Sequence, residues 1–78
     1  MKFIADAMLG RLARWLRLLG FDTLYYQDIK DTDLLRLTLQ EDRFLLTRDS
    51  HFSRIKNLRN LLIVHSEDPM RQVVEVMR

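Results

Sequence analysis

Four short apolar runs, at residues 2–5, 23–26, 43–47 and 61–64, are spaced by segments whose apolar residues recur at helical intervals. A chain that alternates in this way builds a mostly parallel sheet flanked by crossover helices, so the expected fold class is α/β. The first run, Lys-Phe-Ile-Ala, ends at Asp6. Leu9, Leu12, Ala13, Leu16 and Leu19 then share one face of a helix over residues 8–19, with Arg11, Arg14, Arg17 and Leu18 opposite. Gly20 suits the left-handed conformation that closes a helix. Residues 23–26 predict a second strand, and a helix with an acidic first turn runs from Asp31 to about Glu41. The third strand, 43–47, stops at Arg48-Asp49, and an irregular or briefly helical basic stretch follows. The continuous run 61–64 suits a strand buried on both faces. Asp68-Pro69 opens a last helix with Met70, Val73, Val74 and Met77 on its inner side.

The 78 residues amount to one domain, and 47% hydrophobic with 31% charged residues excludes a disordered chain. With no cysteine, disulfides and thiolate zinc sites are excluded. No apolar run approaches the roughly 18 residues of a membrane span, and the start lacks a signal-peptide core, so the cytoplasm is the expected compartment. The net charge of +2 is too small to imply a nucleic-acid partner, but its distribution is uneven. Lys2, Arg11, Arg14 and Arg17 face a single acid, Asp6, in residues 1–20. Residues 21–49 are predominantly acidic, and residues 50–65 hold Arg54, Lys56 and Arg59 without an acid. An acidic middle between basic segments fits a metal site beside a phosphate-binding surface.

Asp6, Asp31 and Asp49 each fall where a strand hands over to a loop or helix. In a parallel sheet these positions lie at the carboxyl edge, where α/β folds bind ligands. Like charges gathered there are unfavourable without a cation, and carboxylates are the hard oxygen ligands that Mg²⁺ or Mn²⁺ prefers. Each acid also has a plainer reading: Asp31 as an N-cap, Asp49 as the closure of an Asx turn. Asp6 is the hardest to explain away, because an acid directly after a buried strand is costly without a partner. Asp22 and Asp28 are expected in loops near the same edge. His51 and His65 lack metal-ligand spacing, and Trp15, Tyr25 and Tyr26 read as core or rim residues. Arg48, Arg54, Lys56 and Arg59, like the arginines of the first helix, are candidates for contacts to backbone phosphates.

Phe3-Ile4-Ala5-Asp6, the block Leu9-Gly10-Arg11-Leu12-Ala13-Arg14-Trp15-Leu16-Arg17-Leu18-Leu19-Gly20-Phe21-Asp22, Asp31-Thr32-Asp33-Leu34-Leu35 and Arg43-Phe44-Leu45-Leu46-Thr47-Arg48-Asp49 carry a resemblance. The chain resembles the PIN-like ribonuclease family known as the Mut-seven C-terminal RNase domain, over nearly its whole length. The resemblance implies a PIN-like three-layer fold with a four-stranded sheet, and metal-dependent cleavage of RNA phosphodiesters. It implies Asp6, Asp31 and Asp49 as catalytic residues holding Mg²⁺ or Mn²⁺, with a metal-bound water as nucleophile. It implies single-stranded RNA as partner, held in part by Arg11 and Arg14. The family pattern often adds a fourth acidic or amide ligand shortly after T-x-D, where this chain has Ser50 and His51. Members usually continue into a cysteine-rich zinc ribbon, so the resemblance implies a nuclease domain truncated before it. The expected function is therefore a metal-dependent ribonuclease. The alternative is a catalytically silent RNA- or protein-binding module of the same fold. A phospho-receiver is disfavoured, because the first strand lacks a paired acid. A sheet this small leaves an edge strand open to self-association, so a homo-oligomer is also expected.

Overall fold

The computed structural model describes residues 1–56 and 58–78. Strands β1 (Lys2–Ala5), β2 (Asp22–Tyr25), β3 (Phe44–Thr47) and β4 (Leu61–Ile63) form one sheet in the order β2-β1-β3-β4, every pairing parallel. Helices α1 (Gly10–Leu18), α2 (Asp31–Gln40) and α3 (Pro69–Met77) cover it, with 3₁₀ segments at Ala7–Leu9 and Ser50–Arg54. The α/β class and the four-stranded parallel sheet expected from the sequence are both present.

The strand order follows from two crossovers in opposite directions. From β1 the chain passes through α1 to β2, then returns through α2 across β1 to β3. Crossovers of one hand that run in opposite directions leave their helices on opposite faces. Period-two alternation along β1 and β3 supplies a core to each. Phe3, Ala5 and Leu46 pack with Leu9, Leu12, Ala13 and Leu16 of the α1 segment and with Val64 and Val73. Ile4 and Leu45 pack on the other face with Leu34 of α2 and Phe52. The result is three layers. Each fully buried leucine or isoleucine contributes about 1.5–3 kcal/mol.

Several local expectations change. The first helical segment begins as a 3₁₀ turn because Asp6 caps it, its Oδ1 accepting from the Met8 N–H at 2.8 Å. Leu19 is exposed, since α1 ends at Leu18 and the turn through Gly20 (φ +95°) carries the chain away. β4 is an edge strand whose three residues are half-buried rather than buried on both faces. Only Val64, just after it, is fully buried, its N–H bonded to the Thr47 carbonyl at 2.7 Å. In α3 the inner face is Gln72, Val73 and Val76, while Met70, Val74 and Met77 are exposed. Gln72 donates to the Ser66 carbonyl at 2.8 Å, which fixes the rotation of this helix. The basic stretch after Asp49 is 3₁₀ over Ser50–Arg54, and Asn57 lies outside the described residues.

Arg43 precedes β3 and has a structural role that periodicity does not reveal. Its guanidinium is buried and donates to the Phe3 carbonyl, to both the carbonyl and the carboxylate of Asp22, and to Glu41. Burial opposes its charge, but the two carboxylates at 3.0 Å outweigh that and raise its pKa. It ties the amino ends of β1 and β2 to the end of α2.

Candidate functional site

At the opposite edge the chain leaves β1 and β3 side by side. β1 connects onward to β2 on one flank, whereas its other neighbour is β3, so the crevice between their carboxyl ends is the topological switch point of the sheet. Ligands of open α/β sheets bind at such a crevice. Asp6 follows β1 directly, its N–H bonded to the Leu46 carbonyl at 3.0 Å, and Asp49 lies two residues beyond β3. Asp31 enters from α2.

These three carboxylates line one open cavity of about 210 Å³, together with Ala7, Met8, Ile29, Leu34 and Phe52. Asp6, Asp31 and Asp49, from three separate segments, therefore border a common cavity. The plain N-cap reading of Asp31 is corrected: Lys30 occupies the cap position without a side-chain bond, and Asp31 is the first residue of the helix. Its carboxylate is left facing His51, with Oδ2 3.6 Å from Nε2. Asp49 does close its turn, accepting the His51 N–H at 3.1 Å, yet its second oxygen meets His51 Nδ1 at 2.7 Å.

Two residues absent from the expected site organise it. The Thr47 hydroxyl, fully buried at the end of β3, donates to Asp6 Oδ2 and accepts the Asp49 N–H at 3.0 Å. One side chain thus orients Asp6 and anchors the backbone of Asp49. His51 is the other, bonded to Asp49, reaching Asp31, and stacked on Phe52 with ring centroids 4.3 Å apart. Its backbone N–H and then its imidazole hold the Asp49 carboxyl below the usual aspartate range. A threonine ending a strand just before an acid is the only sequence signal for Thr47. His51 stands two residues after Asp49, but its other carboxylate partner, Asp31, comes from α2, and sequence spacing does not bring the two together.

The donor set suits a hard divalent cation: three carboxylates around a shared cavity and no thiolate. Among the described residues no three acidic or imidazole groups are drawn together into a ready metal cluster. Asp6 spends both oxygens on Met8 and Thr47, and His51 stands between Asp49 and Asp31. Asp31 is the least tied of the three, 63% exposed and, among the described residues, approached by His51 at 3.6 Å.

The whole chain, residues 1–78, matches the family model described as Mut7-C RNAse domain. The chain belongs to the Mut7-C RNAse domain family. No match to it was found among curated proteins or among solved structures. Membership in this family indicates a nuclease-type function with RNA as the substrate class. No described helix is long and apolar enough to cross a membrane.

The basic candidates separate into different places. Arg11 and Arg14 are exposed on α1 and line a groove with Arg17. Arg48 turns toward the segment before α3, 3.9 Å from Glu67 and 3.5 Å from the His65 carbonyl. Arg54, the last residue of the 3₁₀ segment, and Lys56 just beyond it are exposed, and Arg59 lies with Thr38, Asp42 and Asn60. Asp22 is corrected outright: it opens β2 and pairs with Arg43 at the amino edge, away from the cavity. Asp28 is exposed and does not line the cavity. His65 contributes its backbone, donating its N–H to Glu75 at 2.9 Å.

Proposed function

We propose that this domain is a metal-dependent ribonuclease that hydrolyses RNA phosphodiesters at the cavity between Asp6, Asp31 and Asp49. The observation that carries the reading is the convergence of these three acids, from three separate segments, at the switch point of a ribonuclease-family fold. Asp6, Asp31 and Asp49 would hold Mg²⁺ or Mn²⁺. Such an ion, when bound, polarises a phosphoryl oxygen and lowers the pKa of an attacking water.

The chain itself supplies orientation. Thr47 fixes the Asp6 carboxylate through one oxygen while the Met8 N–H holds the other. The backbone N–H and imidazole of His51 hold the Asp49 carboxyl below the usual aspartate range, which favours its ionised form. His51 holds Asp49 in place and offers Asp31 a second contact. Leu34 and Phe52 close the floor with apolar surface, which strengthens electrostatic interactions above it.

The test follows single-stranded RNA cleavage by the wild-type chain, Asp6→Asn and Thr47→Val with Mn²⁺, Mg²⁺ or a chelator. Asn preserves size and capping ability but removes the charge. The expected result is cleavage that requires metal, falls by roughly 100-fold or more in Asp6→Asn, and falls by about 10- to 100-fold in Thr47→Val. Equal cleavage by wild type and Asp6→Asn would sink the assignment.

A further inference from the structure

A second, larger concavity, about 580 Å³, runs along the outer side of α1 beside the free edge of β2. It is lined by Gly10, Arg11, Arg14, Arg17, Leu18 and Tyr25. Among the described residues that line it, Arg11, Arg14 and Arg17 are basic and none is acidic. Their spacing of three residues sets them in a row along the helix, about 9 Å from first to last at the usual rise. Arg17 is already positioned, its Nε donating to the Thr23 carbonyl at 2.9 Å. Less freedom is then lost when its guanidinium engages a ligand.

The groove shares a wall with the acidic cavity. The Tyr25 hydroxyl, which lines the groove, donates to the carbonyl of Ala7 at 2.9 Å, and Ala7 lines the cavity. Gly10 makes this join possible: a Cβ there would stand 3.0 Å from the Tyr25 hydroxyl oxygen and 3.1 Å from its ring carbon. The Asp6–Gly10 segment is thus a low ridge with carboxylates on one side and arginines on the other. A molecule that places one phosphate in the cavity and extends across this ridge brings its next phosphates to a row of guanidiniums. Guanidinium groups match phosphate geometry with paired hydrogen bonds.

We propose that the arginine groove of α1 holds the single-stranded RNA backbone on one side of the scissile phosphate, with Arg11, Arg14 and Arg17 as the phosphate ligands and Tyr25 as the wall that joins groove to cavity. This rests on the ribonuclease reading of the acidic cavity. It further assigns the strand to the α1 side of the site, in preference to the Arg48, Arg54 and Lys56 side, where Arg48 faces the Glu67 carboxylate at 3.9 Å.

The test is equilibrium binding of a fluorescent oligouridylate in chelator across a salt series, where no metal-dependent cleavage intervenes. The variants are Arg11→Gln with Arg14→Gln, the same pair changed to Lys, and Arg59→Gln as a charge control away from the groove. Removing two phosphate contacts should reduce the slope of log K against log salt by about 1.4. The Lys pair should keep most of that slope, and Arg59→Gln should leave it as in wild type. An unchanged slope in the Gln pair would overturn the proposal, and so would an equal loss in Arg59→Gln, which would show a net-charge effect only. Circular dichroism establishes that each variant is folded. Failure here leaves the metal-dependent cleavage assay untouched, so the two readings fail separately.

Discussion

The two edges of the sheet handle charge in opposite ways. At the amino edge, Arg43 is buried and sits 3.0 Å from each of two carboxylates, Asp22 and Glu41, while also bonding two backbone carbonyls. At the carboxyl edge three carboxylates share one cavity, and among the described residues the only basic group paired with any of them is His51, with Asp6 paired to none. One edge is a finished structural joint. The other gathers three carboxylates beside a single imidazole, an arrangement in which a cation would relieve like-charge repulsion.

That contrast can be broken first at the amino edge, where the effect on stability is largest. Arg43→Met keeps the apolar stem but removes every hydrogen bond and the charge. Asp22 and Glu41 are 57% and 38% exposed, so water can rehydrate the carboxylates left behind. The expected cost is about 1–3 kcal/mol, and each kcal/mol lowers Tm by about 4–8 °C in a domain of this size. Asp6→Asn, which removes like-charge repulsion and preserves the cap, should leave thermal stability equal or higher without metal. A neutral Arg43→Met, or an Asp6→Asn that melts as early, would erase the distinction between the edges.

A smaller effect appears in acid. The folded pKa of Asp49 is depressed by His51, and that of Glu75 by the N–H groups of His65 and Ser66. A carboxylate with a depressed folded pKa stabilises the fold above its unfolded value and loses that contribution as pH falls through the folded one. Stability should therefore be flat from neutrality to about pH 5 and decline below the ordinary aspartate and glutamate range of roughly 3.9–4.3. Carbon-detected titration should find Asp49 moving part of the way back up in His51→Ala, since the backbone N–H remains. No movement would remove the imidazole from the account of this edge.

Much of this was legible in the sequence, for definite reasons. The alternation of short apolar runs and amphipathic segments specifies a parallel sheet whatever the strand order, and it places Asp6 and Asp49 after strands. Strand order was not legible, because periodicity fixes which face a residue presents and not which strand lies beside it. The adjacency of β1 and β3 is what lets Thr47 bond Asp6 across 41 positions of sequence. His51 escaped notice for the same reason, since its partner Asp31 arrives from α2. Asp22 was misplaced because it directly precedes the expected second strand, and the start of a parallel strand lies at the amino edge, where Asp22 opens β2 and pairs with Arg43. The inner face of α3 was misjudged because Gln72, a polar residue, is buried by its bond to Ser66.

Calorimetric titration of Mn²⁺ into wild-type protein and Asp6→Asn decides whether the carboxyl edge serves a divalent cation. A cation site at this edge should give saturable binding to the wild-type chain, with a matching rise in Tm, and loss of both in Asp6→Asn. Saturable binding of equal affinity in the two proteins, or none to the wild type, would contradict it.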